Sequence, residues 1–371
     1  MKRIIVVILL TGLLLSTITG SVWAAEEPVE IPVLTLEEAI ETALKNNLDL
    51  KNAQRQVDQS FKQRQNAVGM VNVVPIGGPG GSSDELANQT TINLVQSDLQ
   101  WQQKRKELDL KKDQIEYQVK EQYYELIKAQ LEEAHHLQKD ELNQWQHRLK
   151  EVQFEQGITS RSEILLATQQ QEDNERRIEL LKEARSNRNQ VLNETMRINT
   201  NREYVAVDFP EYEPLKLFNL TSHINSLKAG SIYTWLANSQ VDMAQLQLNL
   251  FNFNEAFSRY SYDAQKINKS IAETNQLSTE EQMENNARAS YRAIVALEEQ
   301  IDLLNLQLEM IEEQVRVASV QYEAGVITDF QLKQTALAAE EIIWQQQQMI
   351  LQHDLLKDVL KKPWAMGGGF S

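Results

Sequence analysis

The sequence contains no cysteine, and its 371 residues include only 7 prolines and 13 glycines. Without cysteine, neither a disulfide nor a lipid-bearing N-terminal cysteine can stabilise or anchor the chain. Proline and glycine are costly inside helices, so their scarcity permits long helices over most of the sequence. Between Ser82 and Met366 the only glycines are Gly157, Gly230 and Gly325.

Positive charge is also scarce, because 37 lysines and arginines face 53 aspartates and glutamates and leave a formal charge of −16. Such an acidic surface repels nucleic acid and anionic lipid headgroups. The composition therefore argues against a nucleic-acid-binding function.

Signatures of catalysis are missing as well. The sequence has no nucleophile elbow, no dinucleotide fingerprint and no H-x-x-x-H spacing, and the glycine-rich loop Gly77–Gly81 lacks the Lys-Ser/Thr of a phosphate cradle. His135 and His136 are adjacent and point about 100° apart on a helix. The remaining histidines are interpreted as solvated helix positions: His147, His223 and His353. We expect no enzyme activity, no catalytic residue, no metal site and no cofactor.

The N-terminus has the pattern of a secretory signal. Lys2 and Arg3 precede an apolar run from Ile4 to Leu15, and Val22-Trp23-Ala24 offers small residues at a cleavage site. The apolar run is short for a membrane-spanning helix. We therefore assign residues 1–24 to a signal peptide and expect an extracytoplasmic mature chain.

The clearest helix is predicted from about Thr279 to Tyr322. One seam repeats every seven residues with three-four alternation: Ile294, Leu297, Ile301, Leu304, Leu308, Ile311, Val315 and Ala318. A second apolar face follows beside it: Leu303, Leu306, Met310, Val317 and Val320. Two such faces suit a helix held from both sides in a closed ring, although a plain antiparallel bundle explains the periodicity equally well.

Further helices are predicted at about 36–68, 92–152, 162–199, 239–276 and 329–362. Short strands are conceivable only at 71–76, at 90–95 and in the linker 200–220. At Asn275–Glu281 a new helix start, capped by Ser278 or Thr279, is expected instead of a strand.

Two short segments interrupt the helical pattern in the same way. Gly157 and Gly325, 168 positions apart, each follow an aromatic residue by three and precede Ser160 or Thr328 by three. Glycine enters the left-handed position after a helix without a Cβ penalty, and the hydroxyl can cap the next helix. Glu163 and Gln331 then complete capping boxes, so each segment is predicted to be an αα-hairpin turn.

The halves also match outside these turns. Asn47–Gln54 and Asn238–Gln245 share Asn, Ala and Gln at equal spacing, at an offset that leaves 23 extra residues in the first half, around positions 69–91. The predicted organisation is a first helical repeat at 25–199 with a Gly/Pro loop at 69–91, a linker at 200–220, a second repeat at 221–362 and a disordered tail at 363–371.

The segment Leu34–Leu50, LTLEEAIETALKNNLDL, together with the two aromatic-x-x-Gly-x-x-Ser/Thr turns, resembles the TolC-type outer membrane efflux proteins over nearly all of the mature chain. The resemblance implies an all-α protomer of long antiparallel hairpins with duplicated halves, three of which form an α-barrel. It further implies that the hairpin tips contact a periplasmic adaptor, which works with an inner-membrane transporter. The tip residues would be Gly157, Ile158, Thr159, Ser160, Gly325, Val326, Ile327 and Thr328.

The sequence departs from that family in its strands, which are too few and too short for the family's membrane barrel, so the barrel strands are expected to be vestigial or absent. Two interpretations follow. The first is an efflux duct component of the cell envelope, at the outer membrane by resemblance, in which Gln345–Gln348 could line an uncharged lumen or simply face water. The second is a non-conducting extracytoplasmic helical scaffold, periplasmic or surface-associated.

Overall fold

A computed structural model describes residues 31–71, 82–251 and 258–366 of the chain, and these residues are almost entirely helical. The predicted signal peptide and the loop Gly77–Gly81 lie outside the described residues. The helices are α1 Leu36–Asn46, α2 Leu48–Met70, α3 Ser82–Glu155, α4 Arg161–Met196, α5 Leu220–Gly230, α6 Ile232–Asn249, α7 Ser258–Glu323 and α8 Asp329–Lys361. The predicted all-α fold class is confirmed.

The two longest helices determine the dimensions of the molecule. Helix α3 has 74 residues and α7 has 66, which at 1.5 Å per residue gives lengths of about 110 and 100 Å. Helices α2 and α4 pack against α3 on one side, and α6 and α8 pack against it on the other, while α7 packs along α6 and α8. These helices form a layer, which we call the wall. In the half of the wall that contains α4 and α8, α4 lies at one edge and α7 at the other.

One face of this layer carries the smaller elements, and we call it the strapped face. Strand β1, Val33–Leu34, pairs in parallel with β2, Val205–Ala206. The Tyr123 hydroxyl of α3 donates to the Leu34 carbonyl at 2.8 Å and accepts from the Val207 amide at 3.0 Å. The opposite side of the layer, which none of these elements covers, is called the open face.

The linker continues across the strapped face from α3 to α7. Lys357 Nζ of α8 donates to the Glu213 carbonyl at 3.0 Å, and the Leu215 amide donates to Glu298 of α7 at 2.5 Å. Helix α5 then packs on α7. The linker therefore ties the two repeats together at mid-length, and its predicted short strand is β2.

The core is concentrated at this mid-length strap. One buried cluster joins α1, the strands, α3 and the end of α4 through side chains such as Ala39, Val119, Tyr123 and Leu192. A second joins α5, α7 and α8 through Ile224, Leu227, Met283, Ile294 and Leu360. The first cluster thus lies beneath α1 and the second beneath α5.

Several predicted boundaries are wrong. The single helix expected at 239–276 is divided between α6, which ends at Asn249, and α7, which begins at Ser258. Residues 90–95 are helical, and within this helix the hydroxyls of Thr90 and Thr91 bond back to the Ala87 carbonyl at 3.0 and 2.8 Å. Asn275–Glu281 lies inside the unbroken helix α7, where Thr279 Oγ1 bonds to the Asn275 carbonyl at 2.8 Å instead of capping a new helix. The predicted helix at 36–68 is interrupted at Asn47, whose side chain caps α2 by accepting from the Leu50 amide at 2.9 Å.

The predicted disordered tail is also partly wrong. Pro363–Met366 form a 3₁₀ turn, and the Trp364 indole donates to Asp113 of α3 at 2.8 Å. An aromatic ring with a polar partner gives this turn an attachment that the flanking glycines do not suggest. No helix within the described ranges has the length and apolar composition to cross a membrane.

Candidate functional site: the two hairpin tips

The two predicted hairpin turns have nearly identical backbones. Gly157 has φ +69° and Gly325 has φ +71°, and each amide bonds to the carbonyl of the aromatic residue three positions earlier at 2.9 Å. The next amides, of Ile158 and Val326, each bond five residues back at 2.8 Å. This is the geometry of a helix C-terminus closed by a left-handed glycine.

Both capping boxes form directly after these turns. The Ser160 hydroxyl accepts from the Glu163 amide at 3.3 Å, and the Ser160 amide donates to the Glu163 carboxylate at 2.8 Å. In the second tip, Thr328 and Gln331 make the same reciprocal pair at 3.3 and 2.9 Å. Each chain reversal is therefore fixed within a few residues by its own side chains.

The caps differ in charge. Hydrogen bonds from the Thr159 hydroxyl and from the amide and hydroxyl of Ser160 lower the pKa of Glu163 to about 2. Gln331 occupies the matching position without a charge. The first tip therefore carries a fixed negative charge at the start of α4, where the helix dipole also favours it, and the second tip does not.

Apolar side chains are exposed at both tips in matching positions. Ile158 is 68% exposed and Val326 is 71% exposed, directly after the two glycines. Phe154 and Tyr322, three residues before the glycines, are also exposed. The remaining predicted tip residues, Thr159 and Ile327, are half-buried, and Ser160 and Thr328 are exposed.

The two tips lie at the same end of the wall. Trp145, near the end of α3, stacks on Phe330, near the start of α8, with ring centroids 4.8 Å apart and planes 13° from parallel. Further from the turns, His135 of α3 stacks in the same way on Trp344 of α8, with ring centroids 5.3 Å apart. Because α3 enters one turn and α8 leaves the other, these contacts bring the two predicted sites to one end.

The tips are staggered along the wall. Trp145 precedes Gly157 by 12 residues, whereas Phe330 follows Gly325 by only 5. The first hairpin therefore extends beyond the second by about seven residues from this contact and by about three from the His135–Trp344 contact, or roughly 5–10 Å at 1.5 Å per residue.

A polar cluster continues the contact between α3 and α8 toward mid-length. Lys120 of α3 forms ion pairs with Asp354 at 2.6 Å and with Asp358, and the Tyr124 hydroxyl donates to Asp354 at 2.7 Å. Burial opposes the charge of Lys120, but its two aspartate partners outweigh burial and raise its pKa. Burial likewise works against the Asp354 carboxylate, and hydrogen bonds from Lys120 and Tyr124 nevertheless lower the pKa of Asp354.

Sequence reasoning missed this cluster and misjudged one histidine. His353 is buried, not solvated, and lies 2.9 Å from Glu298 of α7. His147 contacts Thr168 and His223 contacts the Leu360 carbonyl, so both also have protein partners. The only signal in the sequence was that polar Gln346 and His353 stand at seven-residue spacing in line with Leu360 on α8. Both face α7, where they contact Asn305 and Glu298.

The two edge helices of the wall expose apolar side chains. The second apolar face of α7 has no partner among the residues that the structure describes: Leu303, Leu306, Met310, Val317 and Val320 are between 42% and 61% exposed. The first seam, by contrast, is buried against α8 and α5, with Ile294 and Ile301 at 0%. At the other edge, Leu165, Leu166 and Leu180 of α4 are 59–67% exposed.

No group of three or more metal-binding side chains occurs within the ranges that the structure describes. No protein-family model matches the sequence, and no curated protein sequence does.

The fold itself is similar to several solved structures. With the outer-membrane channel OprN it has a TM-score of 0.65 at 14% identity, over 90% of this chain and 90% of that chain. With the CmeC outer membrane channel of Campylobacter jejuni the TM-score is 0.65 at 12% identity, over 97% and 95%. With the outer membrane protein VceC of Vibrio cholerae it is 0.61 at 15% identity, over 91% and 97%. These likenesses confirm the resemblance drawn from the turns, and the chain has the fold of the TolC-type outer membrane efflux channels.

Proposed function

We propose that this protein is a duct component of the cell envelope that exports solutes together with a periplasmic adaptor and an inner-membrane transporter. Three copies would assemble around an axis, so that the four-helix walls close into a ring of twelve helices. One observation carries the proposal: both hairpin tips lie at the same end of a wall whose two edges remain open.

The open edges favour assembly. Burying a leucine, valine or methionine side chain contributes about 1.5–3 kcal/mol, and the five α7 side chains are each about half exposed in the single chain. Covering this edge would therefore contribute roughly 5 kcal/mol for each contact between copies. Because the edges belong to different helices, contact between α7 of one copy and α4 of the next is heterologous and can close a ring.

The tips favour a partner protein. Ile158 and Val326 project from the two turns, where none of the described residues covers them. Apolar side chains held on rigid backbone turns cost little entropy when they become buried in a partner. We therefore assign the eight predicted tip residues to adaptor contact.

The assembly is tested on the full-length protein extracted from the cell envelope. We expect a native mass of three chains and cross-linking to an adaptor encoded nearby. A monomer that captures no adaptor would refute the proposal.

The adaptor site is tested with Val326→Asp, which should abolish capture because it places a charge in an apolar contact. Phe218→Asp, in the fully exposed part of the linker, is the control and should leave capture unchanged. Equal capture by both variants would place the adaptor site elsewhere.

A non-conducting scaffold is the second candidate. The stacked rings and ion pairs between α3 and α8 fix the two repeats against each other over a long contact, which also suits a rigid spacer. The two functions separate in cells that lack the gene. A scaffold restores envelope integrity without restoring solute export, whereas a duct restores export.

A further inference from the structure

Helix α7 separates its polar side chains by face. Every seventh residue along one stripe is an exposed glutamine: Gln300, Gln307, Gln314 and Gln321. Asp302 and Glu309 follow the same spacing two positions later, about 200° further around the helix, in a mainly acidic stripe that Arg316 and Glu323 continue. The uncharged and acidic stripes therefore point to nearly opposite sides.

Contacts of α5 show which side is which. Lys228 of α5 donates to Glu284 of α7 at 3.0 Å, so Glu284 points to the strapped face. Asp302 lies 18 residues, or about five full turns, after Glu284 and points the same way. The acidic stripe therefore belongs to the strapped side and the glutamine stripe to the open face.

Helix α8 repeats the arrangement. Lys357 contacts the linker on the strapped face, and Gln348 stands nine residues earlier, about two and a half turns, and so on the opposite side. The adjacent heptad positions are also uncharged: Gln331, Ala338, Gln345 and Gln352. Glu341 is the one acidic side chain among these two stripes.

The open face of α3 carries charges of both signs, and some of them form ion pairs. Glu132 lies nine residues after Tyr123, opposite the strap, and accepts from Arg177 of α4 at 2.9 Å. Lys128 pairs with Glu125 at 2.7 Å. The first repeat therefore adds charge to this face in nearly balanced amounts.

On the basis of the proposed duct, we propose that the open face is its lining and that this lining is electrically neutral. The duct passes polar solutes of either charge, sorted by size and hydrogen bonding and not by sign. Amide side chains both donate and accept hydrogen bonds, so they serve cationic, anionic and zwitterionic solutes alike. A lining with one sign of charge would instead concentrate solutes of the opposite sign by about tenfold or more.

The natural absence of cysteine makes the lining directly measurable. Gln307→Cys places a single thiol on the open face, and Glu309→Cys places one on the strapped side at nearly the same height. The assembled full-length variants are treated with a cationic and an anionic methanethiosulfonate reagent of equal size, and the rates are normalised to the unfolded protein. At Gln307→Cys we expect the two rates to agree within about threefold; a cationic preference of about tenfold or more overturns the neutral lining.

A bulky polyethylene-glycol maleimide separates this result from failure of the duct itself. In the assembly it should modify Glu309→Cys and be excluded from Gln307→Cys. Modification of both means that the open face encloses no duct, and the proposed function fails. Exclusion at Gln307→Cys with a strong cationic preference leaves the duct standing and refutes the neutral lining alone. Gln314→Cys replaces Gln307→Cys if that variant does not assemble.

Discussion

Truncation of one edge side chain tests whether copies of the chain associate through α7. Leu306 is 58% exposed in the single chain, so burial against a neighbour would remove about half of a leucine side chain from water. Replacing it with alanine should cost about 1 kcal/mol at each contact, or about 3 kcal/mol for the three contacts of a ring. Since about 1.4 kcal/mol is tenfold, the trimer dissociation constant should rise on the order of a hundredfold.

The assay is sedimentation or mass photometry of the purified variant over a dilution series, beside its thermal melting curve. Leu137→Ala is the matched control, because Leu137 is 42% exposed but lies on the strapped side of α3, two heptads after Tyr123. Both variants should retain the helical content of the parent. If Leu306→Ala associates like the parent, or if Leu137→Ala weakens association as much, α7 is not the edge at which copies meet.

Three further predictions concern single positions. Gly157→Ala should lower the free energy of unfolding by about 1 kcal/mol, because Gly157 has a positive φ. Gly69→Ala should raise it by about 0.5 kcal/mol, because Gly69 lies in helical backbone with open space around its Cβ position. Urea titrations measure both changes. Because the pKa of Glu163 is lowered from 4.5 to about 2, its cap stabilises the fold above pH 4.5, and this stabilisation is lost as the pH falls toward 2. Glu163→Gln should remove this pH dependence. A pKa near 4.5 for Glu163, titrated by NMR, would contradict the prediction. Lys120→Met should cost about 2 kcal/mol by leaving Asp354 without its cation in a half-buried site, and Asp354→Asn added to it should restore part of the loss.

The hairpin turns could be predicted from the sequence because the forces that shape them act over a few residues. A glycine, a hydroxyl three positions later and a carboxylate or amide at N3 determine each reversal, whatever packs around it. The helix start expected at residue 279 and the strand expected at 90–95 are wrong because the conformation of these segments depends on contacts with distant parts of the chain. A threonine hydroxyl can cap a helix or bond back within one, and the choice depends on whether neighbouring helices extend past it.

The contact between α3 and α8 could not be predicted from one sequence. Lys120 and Asp354 are 234 positions apart, and their pairing depends on the register of two long helices. His353 looked like a surface residue because its heptad position is polar, but that position faces Glu298 of α7. The glutamines of α7 recur every seven residues in the sequence, but the direction in which they point follows only from the position of α5.

The stagger of the two hairpins determines the shape of the rim that the hairpin tips of three assembled chains would form. The six hairpin tips would alternate between long and short, with a height difference of roughly 5–10 Å. The rim would therefore have threefold and not sixfold symmetry. A ring of six identical partner subunits would therefore meet two kinds of binding site on this rim and would bind them with two affinities. Only the longer hairpins carry the anionic carboxylate of Glu163, so the two kinds of binding site differ in charge as well as in height.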